Sequence, residues 1–366
     1  MLLTGLKTSG FRNTDGEIAL GQGLNILIGE NGHGKTNWLE ATAVLAAMRS
    51  FRTAKLQETI QFGKERAVID GRITVSSEIT RELRAVIENN VKQFAVNGKR
   101  ESIQNYLGQL HAVIFNSDEL EVVRGGPEAR RRFLDDAIVG VHPPYSATVG
   151  DYVRVLRQKN TLLGNARNRE FSIEKTAEML EPWNDQIATL SERIHRSRVR
   201  IVERLTEKLQ NKLFGSEEVS LRYLSSLEGK GDLDNFQASM LERLQTRVQA
   251  ELVAGHALIG THRDDLQITF DSRDLRKYGS AGQQRSALLL LLLANIEVYN
   301  ATRGEYPLFL LDDIDSELDH RRIGLLLEYI NGKTQTVVTT SKESFVSEFR
   351  QNASIFDIQN GTPKRR

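Results

Sequence analysis

The stretch Gly29-Glu30-Asn31-Gly32-His33-Gly34-Lys35-Thr36 sets glycines, a lysine and a threonine at the spacing G-x-x-x-x-G-K-[ST]. Those residue types suit a bound polyphosphate. Gly29, Gly32 and Gly34 allow a tight turn in which consecutive N–H groups face one phosphate cluster. Lys35 has the reach to neutralise the outer phosphates, and the Thr36 hydroxyl suits Mg²⁺. The loop needs a strand before it and a helix after it. Leu24-Asn25-Ile26-Leu27-Ile28 reads as a short buried strand. Beyond Thr36, Trp38, Leu39, Ala41, Val44, Leu45 and Met48 recur at helical spacing, so a helix N-terminus adds its positive dipole end at the loop.

A second constellation is Leu308-Phe309-Leu310-Leu311-Asp312-Asp313, an apolar strand ending in two acids. This is a Walker B pattern. Asp312 is placed to hold Mg²⁺ and Asp313 to polarise an attacking water. A third, Ser280-Ala281-Gly282-Gln283-Gln284-Arg285, precedes a long apolar helix. Ser280, Gly282 and Gln283 at a helix N-terminus form a second anion site. One subunit has no use for two such sites, but a site shared between two copies does.

The chain has 366 residues, enough for two domains or for one large domain with an insertion. It contains no cysteine, so disulfides and thiolate metal sites are excluded. No charged segment followed by an apolar core opens the chain, and the longest apolar run, Ala287 to Ala294, falls far short of the ~20 residues of a membrane span. A cytoplasmic protein without membrane contact is expected. Net charge is +1, so nucleic-acid contact requires a local basic patch.

Strand signals fill residues 1–28 and 66–97, with a hairpin turn at Asn97-Gly98. Ser102 to Leu110 reads as a helix and Ala112 to Phe115 as a strand. After about Arg124 the pattern turns helical, with Pro127 opening a helix. Apolar residues at 3-4 spacing run from Tyr145 to Leu163 and again from Leu180 to Ile194, and the polar stretch Gly164 to Arg169 reads as the turn between them. The expected architecture is α/β: an ATPase head of mixed sheet and flanking helices formed by 1–125 and 255–366. Residues 126–254 form a mainly helical insertion with a short coiled-coil-like hairpin. The tail Lys364-Arg365-Arg366 reads as loose.

The Ser280–Arg285 stretch resembles the signature motif of ABC-type ATPase heads, and Asp312 to Asp319 resembles their Walker B and D-loop. With Gly29 to Ala41, Arg124 to Asp135 and Gly260 to Leu266, the set closely resembles the RecF family, bacterial recombination mediators related to the SMC heads. The resemblance implies ATP-dependent head-to-tail homodimers that close around DNA. It also implies action with RecR and RecO to direct RecA onto single-strand gaps, in repair, replication and the SOS response, with slow hydrolysis used as a switch.

Carried over, Lys35, Thr36 and Asp312 bind MgATP, while Ser280 and Gly282 meet ATP on the partner subunit. Three positions depart from the ABC pattern: Asp313 where many heads have Glu, Thr340 where many have a switch His, and Asn116-Ser117 where a Q-loop Gln is expected. A transporter ATPase shares the three motifs, but these departures and the helical insertion count against it. Other SMC-like heads carry far longer coiled coils or a cysteine hook. Phosphate contacts on DNA need Lys and Arg. The candidates are Arg124, Arg130, Arg131 and Arg132, and a helical row that includes Arg196 and Arg200.

Overall fold

The computed structural model describes residues 1–76, 79–89, 91–169, 171–209 and 218–366. The chain forms two compact units. Unit one takes 1–121, 279–366 and, from the segment 208–218, the described residues 208, 209 and 218; unit two takes 122–207 and 219–278. Residues 255–278, which the sequence reading assigns to the head, group with unit two. The reason is strand pairing with residues 219–224, described below.

In chain order, unit one begins with β1 (Leu2–Phe11), β2 (Thr14–Ala19), β3 (Leu24–Ile28) and α1 (Lys35–Ala47). Then come β4 (Arg66–Ser76), β5 (Ile79–Glu88), β6 (Lys92–Val96), β7 (Lys99–Arg100), α2 (Ile103–Tyr106) and β8 (Ala112–Phe115). The helix α3 (Glu121–Arg124) leads into α4 (Pro127–Val141), α5 (Tyr145–Asn168) and α6 (Ile173–Lys208). Unit two continues with β9 (Val219–Leu224), α7 (Phe236–Thr246), α8 (Val248–Ala254), β10 (Asp265–Phe270), β11 (Arg273–Asp274) and α9 (Leu275–Tyr278). Unit one resumes with α10 (Ala281–Arg303), β12 (Leu308–Leu311), α11 (Ile314–Glu317), α12 (His320–Ile330), β13 (Thr336–Thr340), α13 (Glu343–Phe349), β14 (Ala353–Gln359) and β15 (Thr362–Arg365).

Two six-stranded sheets build unit one. One is antiparallel, in the order β2-β1-β4-β5-β6-β7. The other runs β15-β14-β3-β13-β12-β8, parallel except for the edge strand β15. The parallel strands β12 and β13 are buried along their whole length, as expected when both faces of a sheet are covered. Helix α1 is buried on nearly every side, and Trp38, Leu39, Val44 and Leu45 join residues of both sheets in one core. That burial explains its continuous apolar content where a surface helix would show a stripe.

The order β3-β13-β12 fixes the site. Register pairs Thr339 with Leu27 on one side and Leu311 with Val338 on the other. The loop after β3, the end of β13 and the acids after β12 therefore emerge together at the carboxyl ends of adjacent parallel strands, where open α/β sheets bind ligands.

The chain's last residues are ordered into β15, contrary to the loose tail expected. Asn360-Gly361 makes the turn from β14, and Arg366 forms ion pairs with Asp357 and Glu343. Gly361 sits at φ +81° with the Asn13 carbonyl so close that a Cβ would lie 1.7 Å from it. Only glycine fits there. From this turn the Gly361 N–H donates to the His33 carbonyl at 2.8 Å and its carbonyl accepts from Trp38 Nε1 at 3.0 Å, so the hairpin buttresses the loop after β3.

Besides its helices, unit two carries a three-stranded sheet. Strand β9 pairs antiparallel with β10, which also pairs with β11. Helix α5 runs through Gly164 to Asn168, where the sequence suggested a turn. A Cβ on Gly164 would lie 3.9 Å from the Gly255 carbonyl at the end of α8, and packing of α5 on α8 overrides the local turn preference. On α5, Tyr145, Tyr152, Lys159 and Ala166 recur every seven residues and are all buried. Lys159 pairs with Glu251 of α8 at 2.7 Å, with neither side chain exposed.

Two family-like stretches meet inside unit two. Arg130 of α4 makes a two-pronged ion pair with Asp265, at 2.6 and 2.9 Å. Arg131 donates to the Asp264 carbonyl at 2.7 Å. Arg198 of α6 grips Asp135 through two hydrogen bonds of 2.9 Å and donates to the Thr261 carbonyl. The Asp264 carboxylate, fully buried, accepts from Tyr223 and from the Ser226 N–H. Buried charges need this degree of pairing.

Candidate functional site

The loop between β3 and α1 turns on Gly32 at φ +85° and Gly34 at φ +97°, the latter capping α1. A Cβ on Gly34 would also lie 2.7 Å from Asn13 Oδ1. Lys35 is buried, and its ammonium donates to the carbonyls of Gly29 at 2.9 Å and Glu30 at 3.0 Å. Three donors on an ammonium leave one more for a ligand. Glu30 and Asn31 are exposed on the loop. His33 is partly exposed and stands 3.6 Å from the Glu30 carboxylate.

Thr36 Oγ1 donates to Asp312 Oδ1 at 2.9 Å, joining the loop to the end of β12. A third residue, not anticipated from sequence, completes this contact. Thr339 Oγ1 donates to the same Asp312 oxygen at 2.7 Å and accepts from the Asp313 N–H at 2.8 Å. Burial holds the Asp312 carboxyl above the usual carboxylate range, opposed by the two threonine hydroxyls. Asp313 is also raised, by burial first and by Asp315 and Glu317, against the pull of Lys35. Asp313 adopts φ +45°, an uncommon left-handed conformation for a side-chain-bearing residue.

The loop opens onto a concavity of about 610 Å³ lined by Arg12, Asn13, Gly32, Lys35, Thr36 and Asp313, among others. Its far wall was not legible in the sequence. Arg12 forms two hydrogen bonds with the fully buried Glu40, at 2.8 and 3.0 Å, and Arg52 donates to Asn37 at 2.7 Å. Asn37 in turn donates to Asn13 at 2.7 Å.

The donor set fits Mg²⁺. A hydroxyl and a carboxylate lie 2.9 Å apart, and a divalent cation held there would offset the desolvation that raises the Asp312 carboxyl. Mg²⁺ keeps most of its waters and asks for few protein ligands. Among the described residues no group of three or more His, Cys, Asp or Glu residues converges.

Ser280, Gly282 and Gln283 are absent from the concavity's lining. Ser280 is exposed and caps α10 in a reciprocal box: its hydroxyl accepts from the Gln283 N–H, and its own N–H donates to Gln283 Oε1 at 2.9 Å. Arg285 pairs with Glu317 of α11 at 2.9 Å, tying this helix start to the segment after Asp313. Asp319 caps α12. Thr340 is fully buried and accepts from the Lys342 N–H at 3.0 Å. Asn116 Oδ1 accepts from the Glu119 N–H at 2.8 Å, a local turn bond.

Of the arginines nominated for DNA, Arg130 and Arg131 serve the unit-two network above. Arg196 pairs with Glu192 on its own helix, at 2.6 Å, yet stays largely exposed. Arg124, Arg132 and Arg200 are exposed. Among the described residues no helix is long and apolar enough to cross a membrane.

Comparison with known proteins agrees with these features. The family described as "RecF/RecN/SMC N terminal domain" matches residues 2–364. A "DNA replication and repair protein RecF" of Synechococcus sp. (strain JA-3-3Ab) is 38% identical, covering 96% of this chain and 94% of the relative. The Staphylococcus aureus (strain Newman) protein of the same name is 36% identical over 99% of both. Among solved structures, the recombination mediator protein RecF with ATP, of the RecFOR pathway, superposes with a TM-score of 0.89 at 27% identity, covering 100% of this chain and 97% of that one. An Smc head bound to part of ScpA shares the fold at a TM-score of 0.54 and 16% identity. The match along nearly the whole length places this chain in the RecF family of ABC/SMC-type ATPase heads.

Proposed function

We propose that the chain is an ATP-dependent DNA-binding protein of recombinational repair, in which nucleotide state governs dimerisation. The observation that carries this reading is the convergence of Lys35, Thr36, Asp312 and Thr339 at one end of the parallel sheet. The relatives named for DNA replication and repair, and the RecF structure with ATP, support it. Unit one acts as the ATPase head and unit two as the inserted lobe.

Bound MgATP brings a triphosphate and a cation. Gly29, Asn31, Gly32 and Gly34 present loop backbone to the phosphates, Lys35 gives charge, and Thr36 with Asp312 holds the metal. Asp313 Oδ, its proton affinity raised by burial, accepts a proton from water. Ser280, exposed, and Gly282, partly exposed, both outside their own subunit's concavity, reach the nucleotide of a second copy. Arg132, Arg196 and Arg200 offer phosphate contacts to duplex or gapped DNA. With RecR and RecO, the dimer directs RecA to single-strand gaps.

Because the hydrolytic site is composite, turnover per subunit rises with protein concentration and stays slow. The test is ATPase activity across a dilution series, for wild type and Ser280→Arg. The reading predicts activity that falls on dilution and is lost in Ser280→Arg, with MgATP affinity retained. Concentration-independent turnover contradicts the shared site.

A further inference from the structure

Unit two contains a second concavity, of about 540 Å³, between the β9–α7 connection, the end of α7 and the segment before β10. Its wall carries Lys230, Arg243, Arg247, His256 and Arg263, and no carboxylate lines it. These cations are not consumed by ion pairs among the described residues. Lys230 reaches only the Ser226 carbonyl, at 3.4 Å, and Arg263 the Ala257 carbonyl, at 3.1 Å. His256 Nδ1 faces the Ala254 carbonyl at 3.0 Å. Arg243 Nε is shut off from solvent with no acceptor among the described residues. A buried donor left without an acceptor is costly, and four permanent like charges around one hollow repel each other. An anion relieves both.

We propose that this pocket seats the phosphodiester backbone of nucleic acid, an inference that rests on the DNA-binding reading above. Its dimensions suit that occupant. A volume of 540 Å³ corresponds to roughly 8 Å on a side, its cube root. One strand of a duplex advances about 3.4 Å per phosphate, so the hollow spans about two successive phosphates. Its lining holds no Phe, Tyr or Trp, and His256 is its one ring, so it lacks the row of aromatic side chains on which successive single-stranded bases stack. The contact is therefore with the backbone and carries no sequence preference. Arg243 and Arg247 lie four residues apart, spanning the end of α7. Their forked guanidiniums match phosphate oxygens in pairs.

The test uses the full chain with MgATP and a short fluorescein-labelled duplex, read by anisotropy across a salt series. Arg243→Ala/Arg247→Ala should weaken binding roughly tenfold or more. It should also lower the slope of log affinity against log salt by about 1.8, two contacts at about 0.9 each. Arg243→Lys/Arg247→Lys should restore the slope, since the charge is what releases counterions. ATP affinity and far-UV circular dichroism should match wild type in both variants.

Wild-type binding with an unchanged slope in the alanine variant overturns the pocket and leaves the DNA reading standing. Loss of affinity in the lysine variant equal to that in the alanine variant also overturns it, because the arginines are then structural. If wild type binds no DNA in any nucleotide state, the DNA reading fails and the pocket assignment with it. Poly-glutamate binding that is lost in the alanine variant while DNA affinity holds assigns the pocket to an acidic protein surface and overturns the proposal.

Discussion

Thr339→Val isolates the link that holds Asp312 and Asp313 in place. Valine keeps the branched shape and the strand preference of β13 while deleting one hydroxyl. That hydroxyl is fully buried, donates to the Asp312 carboxylate at 2.7 Å and accepts from the Asp313 N–H at 2.8 Å. A hydrogen bond to a charged group contributes about 1.5–3 kcal/mol, and a stranded N–H costs about 1–3 kcal/mol. The added methyl returns up to about 0.8 kcal/mol. The ligand-free protein should therefore lose about 2–5 kcal/mol of stability. Freed from Thr339, Asp312 keeps only Thr36 as a side-chain donor, and removing a group that orients a metal-binding carboxylate typically weakens metal-dependent binding about 10- to 100-fold. The assay pairs a urea unfolding curve with titration of a fluorescent ATP analogue, with and without Mg²⁺. The expected result is a lower unfolding midpoint, weakened MgATP binding, a smaller change without Mg²⁺, and rescue of both by Thr339→Ser. Wild-type MgATP affinity with an unmoved midpoint refutes the reasoning.

Two further outcomes follow from buried charges. Asp312→Asn keeps an oxygen to accept from Thr36 and Thr339 while removing a carboxylate whose folded pKa is raised. A raised carboxyl favours the folded state fully only below its unfolded pKa, near 3.8, and that contribution is lost as pH rises through the folded value. Asp312→Asn should therefore melt higher than wild type at neutral pH without Mg²⁺, the difference shrinking as pH falls toward 4, and a Tm series across pH checks this. In unit two, Lys159→Met leaves the Glu251 carboxylate buried and unpaired, and should cost about 3–5 kcal/mol. Lys159→Met/Glu251→Gln should recover most of that in urea unfolding, because Gln can still accept from the Leu258 N–H that Glu251 holds at 2.8 Å.

The loop at Gly29–Thr36 and the acids at Asp312 and Asp313 were legible in the sequence because each is contiguous and each adjoins a strand with a clear apolar pattern. Thr339 was not. Its role arises because β13 lies between β3 and β12, and sheet order is a tertiary fact that no local spacing carries. Arg12, Asn13 and Arg52 were missed for the same reason: turns and a helix exit bring them to the loop from outside the motif.

In unit two the sequence signal was weaker. Strand β9 is defined by its pairing with β10, some forty residues further on. Arg130 and Arg198 resemble surface cations in sequence, and only their partners Asp265 and Asp135 reveal that they are internal. A clustered run of basic residues thus misled where partners distant in sequence were needed. The basic hollow around Arg243 and Arg247 drew no notice because its members are scattered through the chain.

The central claim is that nucleotide controls DNA binding through a site shared by two subunits. The most direct measurement is DNA anisotropy with Asp313→Asn, which retains the fold around Thr339 and blocks proton acceptance, with and without MgATP. The account predicts tighter binding to duplex or gapped DNA when MgATP is present, and loss of that gain when Ser280→Arg is added. DNA affinity indifferent to MgATP contradicts it.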